Sequence, residues 1–468
     1  MPDGFHMTPD EFRRHGREVV DWVADYMERL PDLPIVSRVA PGDVAARLPE
    51  AAPEEPEPFD RLLADLDDVV LPGITHWQSP GWFAYFPANV SPPSVLAELA
   101  SAGIGAQGML WATSPALTEV ENRVLDWLVD LLGLPQAWKT SVGPGGGVIQ
   151  MSASDSTHLV HVVAREEALA RGAETDRLVA YASSQTHSSV ERGARVAGFR
   201  HVRLVDVDRK HALRPDALEA AVAEDRASGL MPAIVTTAIG TTGTCAIDPV
   251  ARVAEIARGE GIWHHVDAAW AGSAMVVPEQ RIHQEGVEHV DSYTFNPHKW
   301  MGVNFDCNVL WVADREPLVS TLSIVPPYLR NEATESGAVI DYRDWHVPLG
   351  RRFRALKLWW VLRSYGASGI RSRIAEHLRL AVEFGERVDA EPVLERVAPV
   401  QFALVCFAHR DGNGATDRLA AAINEDPRLY VAPSQVGDRR FIRAATAQTR
   451  TTREDVDRLW NAVAGALA

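Results

Sequence analysis

Between Pro92 and about Lys357 the chain alternates short apolar runs with stretches of helical periodicity, and this alternation constrains the fold more than any other feature. The runs Leu178-Val179-Ala180-Tyr181, Ala233-Ile234-Val235-Thr236 and Ile262-Trp263-His264-His265-Val266 lack the regular apolar-polar alternation of half-exposed strands. They suit strands covered on both faces. Helical stretches lie between such runs, among them Leu213 to Ala227 and Pro249 to Gly259. Parallel neighbours need a long crossover, usually a helix, so an α/β architecture with a mainly parallel sheet is expected. Ligands in such sheets bind beyond the carboxyl ends of the strands.

The flanks read differently. Thr8-Pro9-Asp10-Glu11 has the grammar of a helix start: a capping hydroxyl, proline in the first turn and glutamate three residues after the cap. A helix to about Leu30 follows, with Val19, Val23, Tyr26, Met27 and Leu30 at helical spacing, a stripe that must be buried against something. Residues 31 to 58, rich in Pro, Ala and Glu, read as a surface connector. Towards the end, Phe402 to Phe407 and Arg440 to Ala444 are strand candidates and a helix starts at Arg453. At 468 residues the chain exceeds one ordinary core. The expected division is a helical N-terminal segment (1–91), a large domain (92–357) and a small α/β domain (358–468).

Charge and cysteine content narrow the function. A net charge of −17 argues against nucleic acid and anionic membrane surfaces as partners. No uninterrupted apolar stretch suits a signal peptide or a membrane span, so a cytoplasmic location is expected. Cys245, Cys307 and Cys406 are far apart with no CxxC pair, and no HExxH accompanies the scattered histidines, so neither a disulfide framework nor a metal site is expected.

Four segments carry chemistry. Asn296-Pro297-His298-Lys299-Trp300 follows the strand candidate Ser292-Tyr293-Thr294-Phe295. A lysine at a strand end amid apolar neighbours can act as a Schiff-base nucleophile, although a lone lysine is far more often a solvated surface residue. His265-Val266-Asp267-Ala268-Ala269-Trp270 ends an apolar run in an acid followed by small residues. Such an aspartate can hold a pyridine nitrogen protonated, or simply cap a helix. Asp267 precedes Lys299 by 32 residues, about one strand-helix-strand step, so both can reach one sheet edge. The run Gly143-Pro144-Gly145-Gly146-Gly147 leads through Val148 to Met151 into Ser152-Ala153-Ser154 and a helix from Thr157 to Ala170. Free N–H groups and two hydroxyls there can cradle a phosphate, although the run lacks the Walker Gly-Lys-Ser/Thr ending and can be an ordinary loop. His187, in Thr186-His187-Ser188, can stack on a ring or be purely structural.

Taken in order, these segments resemble the aromatic L-amino acid decarboxylase family of pyridoxal-phosphate (PLP) enzymes, of fold-type I. The likeness extends through Phe12-Arg13-Arg14-His15-Gly16, Pro72-Gly73-Ile74-Thr75-His76-Trp77, Phe83-Ala84-Tyr85-Phe86-Pro87, Asn304-Phe305-Asp306-Cys307 and Pro348-Leu349-Gly350-Arg351-Arg352. The resemblance implies that Lys299 binds PLP covalently, Asp267 pairs with the pyridine nitrogen and His187 stacks on the ring. It places Ser152, Ala153, Ser154 and Asn296 at the phosphate, adds Thr242, Ala269 and His298 to the cofactor contacts, and makes Tyr328 the proton donor to carbon. It also implies a homodimer whose N-terminal segment wraps its partner.

The implied substrate is an aromatic L-amino acid, in a pocket that includes Trp77, Tyr85, Phe86, Pro87, Ala88, Met109, His187 and Gly350. Ala88 replaces a hydroxyl residue and Met109 a phenylalanine of the family's animal members. Gly350, where family members favouring phenols or imidazoles tend to carry serine, points to tryptophan or 5-hydroxytryptophan, with DOPA, phenylalanine and tyrosine as further candidates. The rivals are an aldehyde synthase of the same family and a cofactor-free scaffold. Retained Tyr328 and His187 speak against the first, and Lys299, Asp267 and His187 together against the second.

Overall fold

The computed structural model describes residues 6–324 and 339–468. Helix α1 (Pro9–Arg29) opens with the expected reciprocal cap: Thr8 accepts the Glu11 N–H and Glu11 accepts the Thr8 N–H. It packs on α2 (Phe59–Asp65) and the turn beyond through His15 against Phe59, Trp22 Nε1–H to Asp67 and Tyr26 to His76. Among the described residues no side chain of α1 is buried. Helices α3 (Pro92–Ile104) and α4 (Pro115–Leu132) then lead into the large sheet.

Seven strands form that sheet: β1 (Gly146–Gln150), β2 (Leu178–Ser183), β3 (His201–Val205), β4 (Met231–Ala238), β5 (Trp263–Asp267), β6 (Ser292–Phe295) and β7 (Asn308–Val312). Their order is β1-β7-β6-β5-β4-β2-β3. β2 to β6 run parallel because a long crossover joins each to the next in the chain. β7 returns beside β6 antiparallel and pairs β1 in the same sense, so the sheet is mixed at one side. Every residue of β2, β5, β6 and β7 is buried, which explains why none of them shows the apolar-polar alternation of a half-exposed strand. The helices at 215–227 and 250–260 agree with expectation to within two residues at their starts.

One expectation fails here. The glycine run is a loop only as far as Gly145: Gly146 and Gly147 lie inside β1, where a Cβ would come within 2.6 Å of Trp345 and 2.7 Å of Trp311. They are small because indole rings lie against the strand. Helix α5 (Ala153–Ala170) starts four residues before the expected Thr157, with Ser152 as its cap.

The second sheet is antiparallel, ordered β10-β11-β9-β8, from β8 (Leu394–Arg396), β9 (Leu404–His409), β10 (Ala432–Val436) and β11 (Arg439–Ala445). The long helix Arg354–Ala390 links it to the large sheet and spans residue 357, with non-helical geometry at Gly366. One apolar cluster runs from α4 through β5–β7 to that helix, β9 and β11. The two sheets therefore share an interior, which lets β11 reach the pocket described next.

Candidate active site

The carboxyl ends of β4, β5 and β6 and the amino end of antiparallel β7 meet at one edge of the sheet. Asp267, the last residue of β5, pairs in register with Ala238 of β4 and Thr294 of β6. Asn296 follows β6 and caps the short helix Pro297–Trp300 that carries Lys299. Fully buried Asn308, at the start of β7, donates its amide to Asn296 Oδ1 (2.8 Å) and the Phe295 carbonyl (2.8 Å) and accepts the Ser156 hydroxyl of α5 (2.5 Å). This one side chain ties the lysine turn to α5. Loss of such a buried partner costs about 1–3 kcal/mol per group left unsatisfied.

The edge encloses a pocket of about 230 Å³ lined by Ser152, Ala153, Ser154, His187, Thr242, Asp267, Ala269, Asn296, His298, Lys299 and Phe86. Ten residues named from the sequence as cofactor contacts thus share one cavity. Lys299 has a depressed pKa, chiefly through burial; the Asp267 charge opposes the shift and Arg443 adds to it. The neutral amine is therefore more accessible than on a surface lysine. Asp267 is 8% exposed, and its Oδ1 accepts the Ala269 N–H (2.9 Å).

His187 is both structural and in the pocket. It caps α6 (Ser188–Val196), Nδ1 accepting the Ser189 N–H (3.2 Å) with the Ser189 hydroxyl at 2.7 Å. The proton consequently sits on Nε2. Burial lowers its pKa, so the ring is neutral near pH 7. His298 is held by the Cys307 N–H on Nδ1 (2.9 Å), and burial pushes it down to about 3.

The residues present fit PLP. At one end α5 begins, where helix N–H groups favour an anion. Ala153 gives its N–H to Asn296 Oδ1 (3.1 Å), whereas the N–H and hydroxyl of Ser154 have no protein partner among the described residues. Asp267 supplies an acid, Lys299 an amine, and Ala269 leaves room for a flat ring. Among the described residues no group of three His, Cys, Asp or Glu side chains can hold a metal ion.

The substrate residues divide. Phe86 lines the pocket and stacks on Trp270 (4.2 Å), which stacks on Trp300 (4.7 Å). Pro87 and Ala88 lead to Asn89, whose N–H meets the His298 carbonyl (2.8 Å). Trp77 and Tyr85 stack on each other at 5.6 Å, 37% and 49% exposed, outside the pocket lining. Met109 and Gly350 also lie outside it: Gly108 donates to the Arg351 carbonyl (3.1 Å), and Gln107 Oε1 accepts the Arg351 N–H (2.5 Å). Tyr328 lies outside the described residues.

The sequence reading missed several neighbours. Ser189, Gly240, Thr241, Trp270 and Phe305 also line the pocket. Arg443 of β11 sits with its guanidinium carbon 5.0 Å from the Phe86 ring centroid, its Nε bonded to the Gly243 carbonyl (3.1 Å). It is 4% exposed and Nη2 has no partner among the described residues. An arginine in an alternating strand of the distant small sheet gives no signal of this in sequence.

Residues 41–410 match the pyridoxal-dependent decarboxylase conserved domain. The chain is 42% identical to a phenylacetaldehyde synthase of Arabidopsis thaliana, over 98% of this chain and 96% of that one. It is 40% identical to an aromatic-L-amino-acid decarboxylase of Rattus norvegicus, over 97% of each. The crystal structure of Catharanthus roseus tryptophan decarboxylase in complex with L-tryptophan superposes with a TM-score of 0.94, at 37% identity over 98% of both chains.

Proposed function

The chain belongs to the pyridoxal-dependent decarboxylase family, and from that premise we propose that it acts on an aromatic L-amino acid, with tryptophan or 5-hydroxytryptophan preferred. It is a PLP-dependent carboxy-lyase. The observation that carries the site assignment is the meeting of Lys299, Asp267 and the start of α5 in one cavity at the sheet edge.

Lys299 would hold the cofactor covalently, its lowered pKa favouring the neutral amine that such a bond needs. Asp267 holds a proton on the pyridine nitrogen. Ser154, with Ser152, Ala153, Asn296 and Thr242, would hold the phosphate, His187 would stack on the ring with Ala269 as a further contact, and His298 supports the lysine turn. When bound, PLP supplies the electron sink that lets carbon dioxide leave the substrate. Phe86, Trp270 and Phe305 make the wall apolar and limit water around the reacting carbon. Tyr328 is the proposed proton donor to that carbon.

The aromatic preference rests on that wall and on Gly350, with Met109 a flexible neighbour suited to a wide ring. Met109, Gly350, Trp77 and Tyr85 lie outside the lining of the 230 Å³ pocket, a gap that a homodimer would close. Leu96, Leu99 and Ile104 of α3, Val347 and Leu349 beside Gly350, and Val19 and Val20 of α1 are 36–63% exposed. A second copy of the chain would cover these exposed apolar side chains and bring the outer aromatic residues to a substrate. The three cysteines are buried free thiols, and no helix among the described residues is long and apolar enough to cross a membrane. Buried free thiols suit the proposed cytoplasmic location.

The test is a panel of aromatic amino acids assayed for carbon dioxide, amine, ammonia and peroxide. Stoichiometric amine from tryptophan or 5-hydroxytryptophan is expected. The likeness to a phenylacetaldehyde synthase supports the second reading, under which ammonia and peroxide replace amine. No turnover of any aromatic substrate would overturn both.

A further inference from the structure

Behind the aromatic wall of the catalytic pocket lies a separate cavity of about 300 Å³. Its apolar lining includes Trp300, Met301, Tyr365, Ile370 and Ile374, and its polar corner holds Arg373, His377 and Thr449. The Phe86–Trp270–Trp300 stack lies between the two spaces: Phe86 and Trp270 line the catalytic pocket, and Trp300, the residue after Lys299, lines this cavity.

The polar corner is unfinished. His377 is 1% exposed, and its Nδ1 accepts the Trp300 indole N–H at 2.9 Å. The proton of this imidazole, kept neutral by burial, is therefore on Nε2, which has no hydrogen-bond partner among the described residues. The buried Thr449 hydroxyl has none either. Arg373 uses Nε and Nη2 on the Thr449 and Thr451 carbonyls, and its Nη1 makes no hydrogen bond among the described residues. His377 Nε2–H and the Thr449 hydroxyl are buried donors without acceptors, which is costly, so the corner calls for an acceptor.

We propose that this cavity is a second ligand site, specific for a small aromatic carboxylate: the ring lies against Trp300, Ile370 and Ile374, and the carboxylate meets His377 Nε2–H, Arg373 Nη1–H and the Thr449 hydroxyl. The donors and the one guanidinium charge select an anion. They reject an arylalkylammonium, so the site is closed to the amine the enzyme makes. Tyr365, 43% exposed just before the helix break at Gly366, marks the way in. A bound ring presses on the tryptophan next to the lysine, so occupancy alters turnover without excluding substrate.

The experiment titrates PLP-loaded enzyme with phenylacetate and with phenethylamine by calorimetry, for wild type and Ile370→Trp, which fills the cavity. The informative quantity is the binding that Ile370→Trp removes. Expected is one phenylacetate per chain in that component, with phenethylamine about tenfold weaker or worse there, and inhibition or activation not competitive with substrate. Crystals of wild type with 4-iodophenylacetate test the same point without a variant, since iodine density should lie between Trp300 and Ile374. Iodine confined to the catalytic pocket, a cavity holding only water at saturating probe, or equal affinity for the amine overturns the proposal. None of these outcomes depends on which amino acid the enzyme decarboxylates.

Discussion

The sheet edge around Lys299 and the surface around Gly350 differ in how much of their structure one chain completes. At the sheet edge Asn308, Asn296 and Ser156 bond one another, His187 is fixed by Ser189, and Asp267 is 8% exposed. Around Gly350 the backbone is anchored as firmly, since Arg351 forms a buried ion pair with Glu121 (2.7 Å) and bonds the Ile149 carbonyl (2.9 Å). The side chains there nevertheless face outward: Val347 and Leu349 are 63% and 48% exposed. The contrast separates two tasks. On the proposed reading, chemistry is organised within the chain, while substrate choice falls to a rigid surface that a second copy would complete.

The comparison predicts first that changes at the sheet edge abolish chemistry regardless of substrate. Lys299→Ala should cost several orders of magnitude in turnover on every aromatic amino acid. Borohydride reduction of the wild-type holoenzyme and peptide mapping should place the label on Lys299; a label on another lysine sinks the assignment. Asp267→Asn is expected next in size, because an amide cannot hold the ring nitrogen protonated. Cofactor absorbance should persist while turnover falls by orders of magnitude. Near-normal turnover in a PLP-loaded variant would remove the aspartate from the mechanism.

Of intermediate size is the loss expected from a charge on the open face. Val20→Glu with Leu99→Glu places two carboxylates where a partner's apolar surface is proposed, and an unpaired buried charge costs several kcal/mol. Sedimentation should show a dimer for wild type and a monomer for the variant. The monomer should retain its fold by circular dichroism, because both side chains are exposed in one chain. A monomeric, fully active wild type would contradict the division of tasks.

The same contrast explains what the sequence made legible. Strands buried on both faces announce themselves as apolar runs, and the Thr8 cap is a local hydrogen-bond pattern, so both are readable from neighbours alone. Asp267 and Lys299 are readable because a parallel strand-helix-strand step fixes where residues 32 apart emerge. Gly146 and Gly147 mislead because glycine serves equally a loop and a strand beneath an indole, and only Trp345 and Trp311, far along the chain, decide which. Arg443 and Phe305 escape notice because their place in the site is created by tertiary packing. Met109 and Gly350 carry a signal only through family resemblance; nothing local marks them as substrate contacts.

Gly350→Ser is the smallest effect and the sharpest probe of the surface. A Cβ at Gly350 would meet only Gln107 Nε2, at 3.3 Å, within 4 Å, and the far end of a glutamine can yield by a few tenths of an ångström. Gly350 is also exposed and needs no left-handed backbone, so the fold should tolerate serine. What changes is recognition. Glycine leaves width for an indole and offers no hydroxyl to a phenol, whereas serine narrows the space and adds one hydrogen bond. Such a contact is worth about 1–3 kcal/mol when its loss leaves a buried group unpaired, and about 1.4 kcal/mol is tenfold in catalytic efficiency. The ratio of kcat/KM for tryptophan over tyrosine should therefore fall by about tenfold in the variant, with borohydride labelling of Lys299 unchanged. If wild type already prefers tyrosine, the indole assignment fails. If serine leaves the ratio untouched, Gly350 is remote from substrate in the assembled enzyme, and the specificity surface must lie elsewhere on the open face.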